Sequence, residues 1–583
     1  MSPELLGEKI HDICVKLASK GELGNLEADR VPSSDKIAVK RPKNSAFGTW
    51  ATPIAMQLAS RAGLPAGEVA GKIAEELEGV KGVENAVVAG KGFINITLTP
   101  ESANQVVEEI LDEKGRYGRN DHLKGVTINL EYVSANPTGP IHIGGARWAA
   151  IGDSLSRILT ANGAKVVREY YFNDHGKQID RFANSLMAWA NGEPTPEDGY
   201  KGAYIGEIAT KVINQAKGEG VDILSLPKIE GEGGQLEEFR KRAVPMMFDE
   251  IKNSLHDFGS DFDVWFHEQS LHDSGSTQRA IDVLREKGDI YEKDGATWFA
   301  STKYGDDKDR VIVKSDGNLT YFAPDLAYYF DKRHREKDPA DVAIYMLGAD
   351  HSGYVGRLMS VCAAYGDEPY KALQVLLGQM VTVSSDGKPV RMSKRAGTVV
   401  TLEDLVDAVG VDAARYALER SSYNQSIDID LALLSSHSND NPIYYVQYAH
   451  ARCCSIEGMA KDMGVEGSKA DLSLLDTSLD ERLISMLAIY PSVVQAAGDL
   501  REPHRIAHYL EDLAGCFHAW YGVERVIPSH LSEEEKEEGG KELEIDKAPS
   551  PERAGARLKL TEAVKQVIEN GLGLLGVSAP KAM

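Results

Sequence analysis

The sequence predicts a multidomain α/β protein: a small N-terminal α+β module, a central doubly wound α/β domain with an insertion, and a C-terminal all-α domain. Three observations support this. Two short β-like runs lie near residue 90, a strand–turn–helix–strand pattern covers 126–172, and apolar residues recur at helical spacing after residue 500. A chain of 583 residues is long enough for several domains with sizeable cores.

The N-terminal module is predicted for residues 1–118. Residues 1–20 form an amphipathic pattern with interspersed charges, which is typical of a helix and not of a signal peptide. Residues 67–77 are helical by pattern, and two strands joined by a glycine-containing turn are predicted at 83–88 and 93–98. The polar, glycine-containing stretch 114–120 is predicted to link this module to the next.

The central domain is predicted for residues 119–430. Val126 to Val133 is rich in β-branched and aromatic residues, which indicates a buried strand. A turn containing proline and glycine follows, then a helix to about Ala161 and a second strand at 166–172. This β-turn-α-β pattern is the unit of a Rossmann-type nucleotide-binding fold. An insertion is expected at about 180–310, with exposed loops at 194–234.

The last domain is predicted for residues 431–583 and is all-helical. An acidic segment with paired glycines, 532–542, is predicted to be a mobile loop without an assigned function. The helical stripe that defines the core consists of Ile506, Leu510, Leu513, Phe517, Trp520 and Tyr521.

The composition indicates in which cellular compartment the protein is expected and how its charge affects RNA binding. Five cysteines without a C-x-x-C pair indicate free thiols in a reducing compartment, and no apolar run is long enough to span a membrane. We therefore expect a cytoplasmic protein, and a monomer. The net charge of −24 gives poor long-range attraction for RNA. An RNA partner would need a confined basic surface, because charges are screened within about 8 Å at physiological salt.

The first candidate site is the turn at residues 135–145. Gly144 and Gly145 fall near the N-terminus of the predicted helix, where glycine lets a nucleotide approach and free N–H groups favour an anion. His142 can donate a hydrogen bond to a phosphate oxygen. Taken alone, the turn favours a simpler interpretation, which is a helix-capping corner with a packed imidazole.

The second candidate site is Arg391-Met392-Ser393-Lys394-Arg395. A Lys394 ammonium on the β- and γ-phosphates of ATP would offset charge on departing pyrophosphate, and the loop could close and reopen. The alternative is a solvated cationic loop. A β-like run and a helix start at 398–405 favour the functional interpretation.

Together the two motifs resemble the ATP-handling signatures of class I aminoacyl-tRNA synthetases. Residues 131–142, Glu-Tyr-Val-Ser-Ala-Asn-Pro-Thr-Gly-Pro-Ile-His, resemble the arginyl-tRNA synthetase form of the first motif. Residues 321–325, Tyr-Phe-Ala-Pro-Asp, resemble that family's Tyr-x-x-x-Asp arginine pocket. Residues 441–452 resemble the start of its helical anticodon-binding domain, and 348–354 and 571–583 also fit. The resemblance covers nearly the whole chain.

The resemblance implies an arginine–tRNA ligase with ATP, L-arginine and tRNA(Arg) as substrates. Mg²⁺ is expected on the ATP phosphates, with no protein-bound metal. The catalytic residues would be His142, Gly144, Gly145 and Lys394. The ATP-binding residues would be Pro140, His142, Gly144, Gly145, Asp350, His351, Met392, Ser393 and Lys394.

The expected arginine pocket suits a planar, permanently charged fork, which carboxylates recognise best. Asp325 and Glu131 would face the guanidinium and Tyr321 would pack on the substrate. Asp325 could instead be a helix N-cap, and Glu131 an exposed strand residue. The full expected set is Glu131, Ser134, Asn136, Tyr321, Asp325 and His351.

The resemblance also implies RNA contacts at Phe93, Asn95, Tyr444 and Tyr448, and a requirement for tRNA before arginine is activated. Phe93 and Asn95 would recognise a splayed-out D-loop base. The alternative places Phe93 in the core and Asn95 at a strand edge.

Two departures from the family pattern matter. Gly145 stands where synthetases usually carry histidine. Lys394 is present, whereas many members carry instead a lysine at the position of Gly139. Two rival interpretations remain: another class I synthetase, of the cysteinyl or methionyl type, and a catalytically inactive RNA-binding paralogue.

Overall fold

The computed structural model describes residues 1–42, 47–173, 176–229, 231–390, 400–467, 470–527 and 549–583. Its N-terminal part is a three-stranded antiparallel sheet of order β1-β3-β2 with four helices. The β3 strand is central, so both neighbours pair with its backbone. The elements are α1 Pro3–Ser19, β1 Trp50–Thr52, α2 Ile54–Ala62, α3 Ala66–Glu78, β2 Val83–Ala89, β3 Phe93–Leu98 and α4 Pro100–Glu113.

The next part of the chain builds one half of the central domain and a helical insertion. Its elements are β4 Thr127–Glu131, α5 Ile143–Ala161, β5 Lys165–Phe172, α6 Lys177–Ala190, α7 Ala203–Gly218, α8 Gln235–Asp257 and β6 Val264–His267. The observed β4, α5 and β5 agree closely with the predicted strand, helix and strand.

The other half of the central domain follows. Its elements are α9 Gln269–Asp273, α10 Ser276–Glu286, β7 Ile290–Lys293, β8 Ala296–Phe299, β9 Arg310–Val313, α11 Phe322–His334, β10 Val342–Gly348, α12 Val355–Tyr365 and β11 Leu373–Gly378.

A five-stranded parallel sheet of order β11-β10-β4-β5-β6 forms the centre of the molecule. The chain leaves β4 toward β5 on one side, and β10 pairs with β4 on the other side. The strand order therefore reverses at β4, and ligands of open α/β sheets bind at the carboxyl ends of strands at such a switch point.

The inserted residues differ from the sequence prediction in two ways. First, β6 lies within the segment predicted as an insertion, so the insertion falls into a helical part before β6 and a part with a small antiparallel sheet, β7-β8-β9, after it. Second, residues 194–234 contain, between the exposed loops that the sequence predicts, the helix α7, which was not predicted and whose apolar face is buried. The residues on either side of α7 are rich in glycine and charge, so the helical pattern was not recognised in the sequence.

The chain then passes through β12 and β14, which pair in parallel, into the helical C-terminal domain. In the described part of this domain the predicted stripe is core: its members are buried except Tyr521, which is half-buried. The acidic segment 532–542 lies outside the described residues. The elements are β12 Val381–Ser385, β13 Lys388–Pro389, α13 Leu402–Val409, α14 Val411–Glu419, β14 Ile427–Asp430, α15 Leu431–Leu434, α16 Pro442–Asp462, α17 Ser478–Ala488, α18 Tyr490–Asp499, α19 His504–Val523 and α20 Pro551–Leu574.

A buried arginine joins the central and C-terminal domains. Arg415 of α14 is fully buried, and its guanidinium donates to the carbonyl oxygen of Leu575 at 3.0 and 3.1 Å. It also donates to the carbonyl of Phe258 at 3.0 Å and to Asp153 of α5 at 2.6 Å. The helix that begins at the first motif is therefore fixed, farther along, to the end of the C-terminal domain.

The stretch 114–120, which connects the N-terminal and central domains, also packs against the C-terminal domain. Tyr117 is buried, donates a hydrogen bond to the carbonyl of Leu487 at 3.0 Å and stacks on Tyr490 with ring centroids 6.1 Å apart. Gly118 has a φ of 92°, and a Cβ there would lie 2.4 Å from the Tyr490 ring. Glycine is thus required by both conformation and space. No helix in the described ranges is long and apolar enough to cross a membrane.

Candidate active site

A cleft of about 1280 Å³ opens at the carboxyl ends of β4 and β10. Its walls contain both ends of the predicted site, although the residues come from three distant parts of the sequence. Met392, Ser393 and Lys394 lie outside the described residues. The predicted residues that line the cleft are Glu131, Ser134, Asn136, Pro140, His142, Gly144, Gly145, Tyr321, Asp325, Asp350 and His351.

His142 is the N-cap of α5, as the simpler interpretation of the turn proposed. Its Nδ1 accepts hydrogen bonds from the backbone N–H groups of Gly144 at 3.1 Å and Gly145 at 3.3 Å. An accepting Nδ1 leaves the proton of a neutral imidazole on Nε2. Desolvation by the surrounding protein lowers the pKa of His142, which favours this neutral form. His142 therefore offers one donor, Nε2–H, to the cleft.

The backbone N–H groups at the start of α5, which the sequence predicted to bind phosphate, already donate hydrogen bonds within the protein. The N–H of Ile143 donates to the carbonyl of Val400 at 2.9 Å, and those of Gly144 and Gly145 are held by His142. The prediction that these amides are free for ATP is therefore wrong for this arrangement. A side chain at position 145 would also be crowded, because a Cβ there would lie 3.0 Å from Ile141 Cγ2. The histidine usual in synthetases would require Ile141 to move.

The chain returns to the first motif directly after the second. His142 and Thr401 form an antiparallel bridge, and the N–H of Leu402 donates to the carbonyl of Ile141 at 2.8 Å. Thr401 then starts α13 through a capping box with Asp404. The residues that follow the second motif are thus fixed against the residues that precede α5.

A strained turn after β4 positions the middle of the cleft. Val133 and Ser134 have φ angles of 67° and 45°, a region that a β-branched residue rarely adopts. The Tyr170 hydroxyl holds the turn by donating to the carbonyl of Ala135 at 2.7 Å and accepting from its N–H at 3.0 Å. Such strain persists where surrounding contacts enforce it and is common at functional sites.

Asp325 lies in the first turn of α11 and forms the acidic end of the cleft. It is not an N-cap: Tyr321 holds that position, and the first N–H of the helix, that of Phe322, donates to Thr320 Oγ1 at 3.3 Å. The Tyr354 hydroxyl instead donates to Asp325. Desolvation, with added repulsion from the charges of Glu268 and Glu131, raises the pKa of Asp325 to about 7.

Glu131 has partners that the sequence analysis missed. Its side chain is buried and accepts from Lys332 Nζ at 2.9 Å and from Ser134 Oγ at 3.1 Å. Lys332 is fully buried, donates also to Asn129 at 2.7 Å, and lies 3.3 Å from Glu169. Glu131 is therefore neither an exposed strand residue nor a free carboxylate, since Lys332 neutralises it from behind. A lysine on the tyrosine-rich face of α11 was the available sequence signal.

Glu268, directly after β6, is a further carboxylate that the sequence analysis missed. It accepts hydrogen bonds from the Tyr171 hydroxyl and from Asn173 Nδ2, the latter at 2.9 Å. Both donors are neutral, and Glu268 forms no ion pair within the described part of the chain. Its charge reaches Asp325, because it is one of the groups that raise the pKa of Asp325.

The remaining predicted residues of the cleft differ in how firmly they are held. Asn136 is fixed, donating to Gln178 of α6 at 2.7 Å and accepting from the N–H of Asn173 at 3.2 Å. Tyr321 is 89% exposed at the mouth of the cleft. His351 is exposed too, with Nε2 3.6 Å from Asp350.

The predicted RNA-binding residues of the N-terminal domain, Phe93 and Asn95, are not among the residues that line the cleft. Phe93 is 43% exposed, so the alternative that places it in the core is wrong. Asn95 pairs with Ala51 on one side and Val87 on the other, so it does not lie at a strand edge. Phe93 is therefore available to a partner.

In the C-terminal domain, Tyr444 and Tyr448 are successive rings on one face of α16. Their centroids are 6.0 Å apart and their planes differ by 6°. The Arg452 guanidinium lies 4.7 Å from the centre of the Tyr448 ring. Stacked rings beside a cation are suited to unstacked bases.

Comparisons with known proteins identify the family. The family model described as "tRNA synthetases class I (R), catalytic domain" matches residues 106–430, "Arginyl tRNA synthetase N terminal domain" matches 6–98, and "DALR anticodon binding domain" matches 446–583. The chain belongs to the arginyl-tRNA synthetase family. The resemblance inferred from the motifs and the predicted fold class are confirmed, and the cysteinyl and methionyl alternatives are ruled out.

Individual relatives agree. A protein of Bifidobacterium animalis subsp. lactis (strain AD011) named arginine–tRNA ligase is 60% identical over 598 residues, covering 100% of both chains. A putative arginyl-tRNA synthetase structure from Campylobacter jejuni has a TM-score of 0.71 and 29% identity, covering 83% of this chain and 100% of that one. The Thermus thermophilus arginyl-tRNA synthetase, at 21% identity, shares the fold over 100% of both chains with a TM-score of 0.74.

Proposed function

We propose that the cleft joins arginine to tRNA in two steps. The arginine carboxylate attacks the α-phosphate of ATP, which forms arginyl-adenylate and releases pyrophosphate. The 2′-hydroxyl of the tRNA 3′-terminal adenosine then takes the arginyl group and releases AMP. The ATP-dependent arginine–tRNA ligase activity follows from family membership. The observation that supports this residue-level account is one cleft with His142 at one end and a pocket of carboxylates at the other.

At the nucleotide end, His142 donates Nε2–H to a phosphate oxygen, and Gly144 leaves the approach to it open. Lys394, outside the described residues, stabilises the departing pyrophosphate. Mg²⁺ arrives on the ATP phosphates, which already supply oxygen ligands of the kind it prefers. Pro140, Asp350, His351, Met392 and Ser393 complete the proposed ATP contacts.

At the arginine end, Asp325 and Glu268 are the carboxylates whose partners are neutral, so they bind the guanidinium. Glu131, already paired with Lys332, shapes the pocket and holds Ser134. Asn136 and Ser134 bind the amino-acid end of arginine, Tyr321 closes over the side chain, and His351 lies between the substrates. A pocket of fixed carboxylates rejects neutral analogues, because a buried charge would then be unpaired.

The RNA is bound away from the cleft, by Phe93 and Asn95 at its D-loop and by Tyr444 and Tyr448 at its anticodon arm. The bound acceptor end shifts the cleft toward its reactive state, so arginine activation requires tRNA. We place the domain boundaries at 118/119 and 430/431, and the protein acts as a cytoplasmic monomer.

ATP–pyrophosphate exchange with each amino acid, with and without tRNA, tests this proposal. Exchange should occur with arginine alone among the amino acids and should need tRNA(Arg). Exchange with arginine in the absence of any RNA would contradict the tRNA requirement but leave the ligase assignment intact. An absence of exchange under every condition would contradict the activity itself.

A further inference from the structure

Within the described residues, few groups at the nucleotide end of the cleft can offset the negative charge of a triphosphate. ATP brings a highly charged triphosphate, and the first three N–H groups of α5 are already hydrogen-bonded within the protein. Apart from histidine, the cationic side chains that line the described cleft are Arg147 and Lys201.

Arg147 cannot meet this need, because its guanidinium is committed elsewhere. It is buried and donates to the carbonyl oxygens of Gln379 at 3.2 Å, Ser422 at 2.9 Å and Gln425 at 2.8 Å. Desolvation lowers the pKa of Arg147 to about 10. Its bonds hold the segments around residues 379 and 422–425 together.

Lys201 is in the opposite situation. It lies two residues before α7 begins, is exposed, and lines the cleft. In the described part of the chain its ammonium group has neither a hydrogen-bond nor an ion-pair partner. An unpaired lysine on a protein surface is common, so its placement decides whether it matters.

That placement is fixed by Tyr204, one turn farther along. Tyr204 is buried, and its hydroxyl donates to the carbonyl of Thr138 at 3.0 Å. Its ring covers Gly139 so closely that a Cβ there would lie 3.1 Å from the hydroxyl oxygen. The start of α7 is therefore anchored on the loop that leads to His142, and the Tyr204 ring would have to shift to admit a side chain at position 139.

We propose that Lys201 binds the triphosphate of ATP, and that the helical insertion exists in part to deliver this charge. The inference rests on the proposed ATP-binding role of the cleft. A lysine ammonium is a compact charge on a flexible stem, which suits a polyphosphate that enters and leaves in every cycle. Tyr204 is a positioning residue for Lys201 and for the loop.

The test compares Lys201→Met with Lys217→Met, which removes an exposed lysine at the other end of the same helix. In arginine-dependent pyrophosphate exchange, Lys201→Met should raise the KM for ATP and the inhibition constant of tripolyphosphate about 10- to 100-fold, the range for a charge-assisted hydrogen bond. Inhibition by adenosine, which has no phosphate, should not change. Lys217→Met should behave as wild type, and Lys201→Arg should recover part of the loss.

Three outcomes would overturn the proposal. An unchanged KM for ATP in Lys201→Met would show that the ammonium does not touch the nucleotide. An equal loss of tripolyphosphate and adenosine binding would indicate a distorted cleft. A raised KM for tRNA with normal ATP constants would assign Lys201 to RNA. Failure of the proposed function is distinguishable, because wild type and Lys217→Met would then also lack exchange.

Tyr204→Phe provides an independent measurement. It removes the bond to Thr138 and keeps the ring over Gly139, so it should raise the KM for ATP by a smaller factor, with no change for adenosine. A normal tripolyphosphate constant in Tyr204→Phe would contradict its positioning role.

Discussion

In the proposed function, the two ends of the cleft recognise charge by opposite means. The arginine end is built from carboxylates on β4, directly after β6 and on α11, held by hydroxyls, an amide and the buried Lys332. The nucleotide end has a capped helix, glycines, and side chains delivered from segments outside the sheet. In the proposed function, arginine meets fixed groups on regular elements, whereas ATP, a substrate common to many enzymes, meets lysine side chains on long stems.

The largest effect on the difference between the two ends is expected from a substitution of Asp325. Asp325→Asn keeps the shape and the Tyr354 contact but removes the charge, so kcat/KM for arginine should fall about 10³-fold, within the range for truncating a buried charge pair. Discrimination against neutral citrulline should shrink, while the KM for ATP stays near normal. The measurement is pyrophosphate exchange with both amino acids. Wild-type arginine affinity in the variant would leave Asp325 without a binding role.

At the other end, Lys394→Ala should lower the adenylation rate and hardly change arginine affinity. Loss of one group that stabilises developing charge costs about 3–4 kcal/mol in the barrier, or a factor of 10²–10³. Single-turnover formation of arginyl-adenylate measures it. A near-normal rate would show that the nucleotide end does not depend on the second motif.

Outside the cleft, Phe93→Ala should weaken tRNA(Arg) binding about tenfold, since a base stacked on an aromatic ring contributes roughly 1–3 kcal/mol. Pyrophosphate exchange should slow at limiting tRNA, and ATP affinity should be unchanged. The exposed Val87 on the neighbouring strand offers a matched control as Val87→Ala. Equal tRNA affinity in both variants would remove Phe93 from the RNA interface.

An effect of similar size, about tenfold, is expected from a pH dependence confined to the arginine end. Because the pKa of Asp325 is about 7, the carboxyl is mostly neutral at pH 6 and mostly ionised at pH 8. A guanidinium binds the ionised form, so the KM for arginine should fall about tenfold as pH rises from 6 to 8. Asp325→Asn should flatten this profile. A KM that rises over the same range would place the titrating group elsewhere.

Local patterns predicted the strands and helices around the site because these elements have strong periodicity. The β4–α5–β5 unit is the best example, and α7 is the opposite case, since glycine and charge on either side concealed sixteen helical residues. The sequence predicted site residues that belong to one continuous motif, as at 135–145. It did not predict contacts between residues far apart in the chain: Lys332 is 201 residues from its partner Glu131, and Glu268 is 97 residues from its partner Tyr171.

The hydrogen-bond state of α5 was equally hidden. The sequence shows that Gly144 and Gly145 follow His142 by two and three residues. It does not show that the imidazole Nδ1 accepts hydrogen bonds from their backbone N–H groups. Because these amides are already hydrogen-bonded, the proposed function assigns phosphate binding to side chains.

The buried Arg415 has a consequence for how the protein is made. Its acceptor at Leu575 is synthesised 160 residues later, so a nascent chain cannot complete the packing around α5 until the ribosome has passed that codon. A prematurely terminated product would keep the Arg415 contacts to Asp153 and Phe258 but lose both hydrogen bonds to Leu575, at a cost of about 1–3 kcal/mol. That is a substantial share of a domain's stability of roughly 5–15 kcal/mol. Incomplete translation products should therefore unfold and be degraded before they can compete for tRNA.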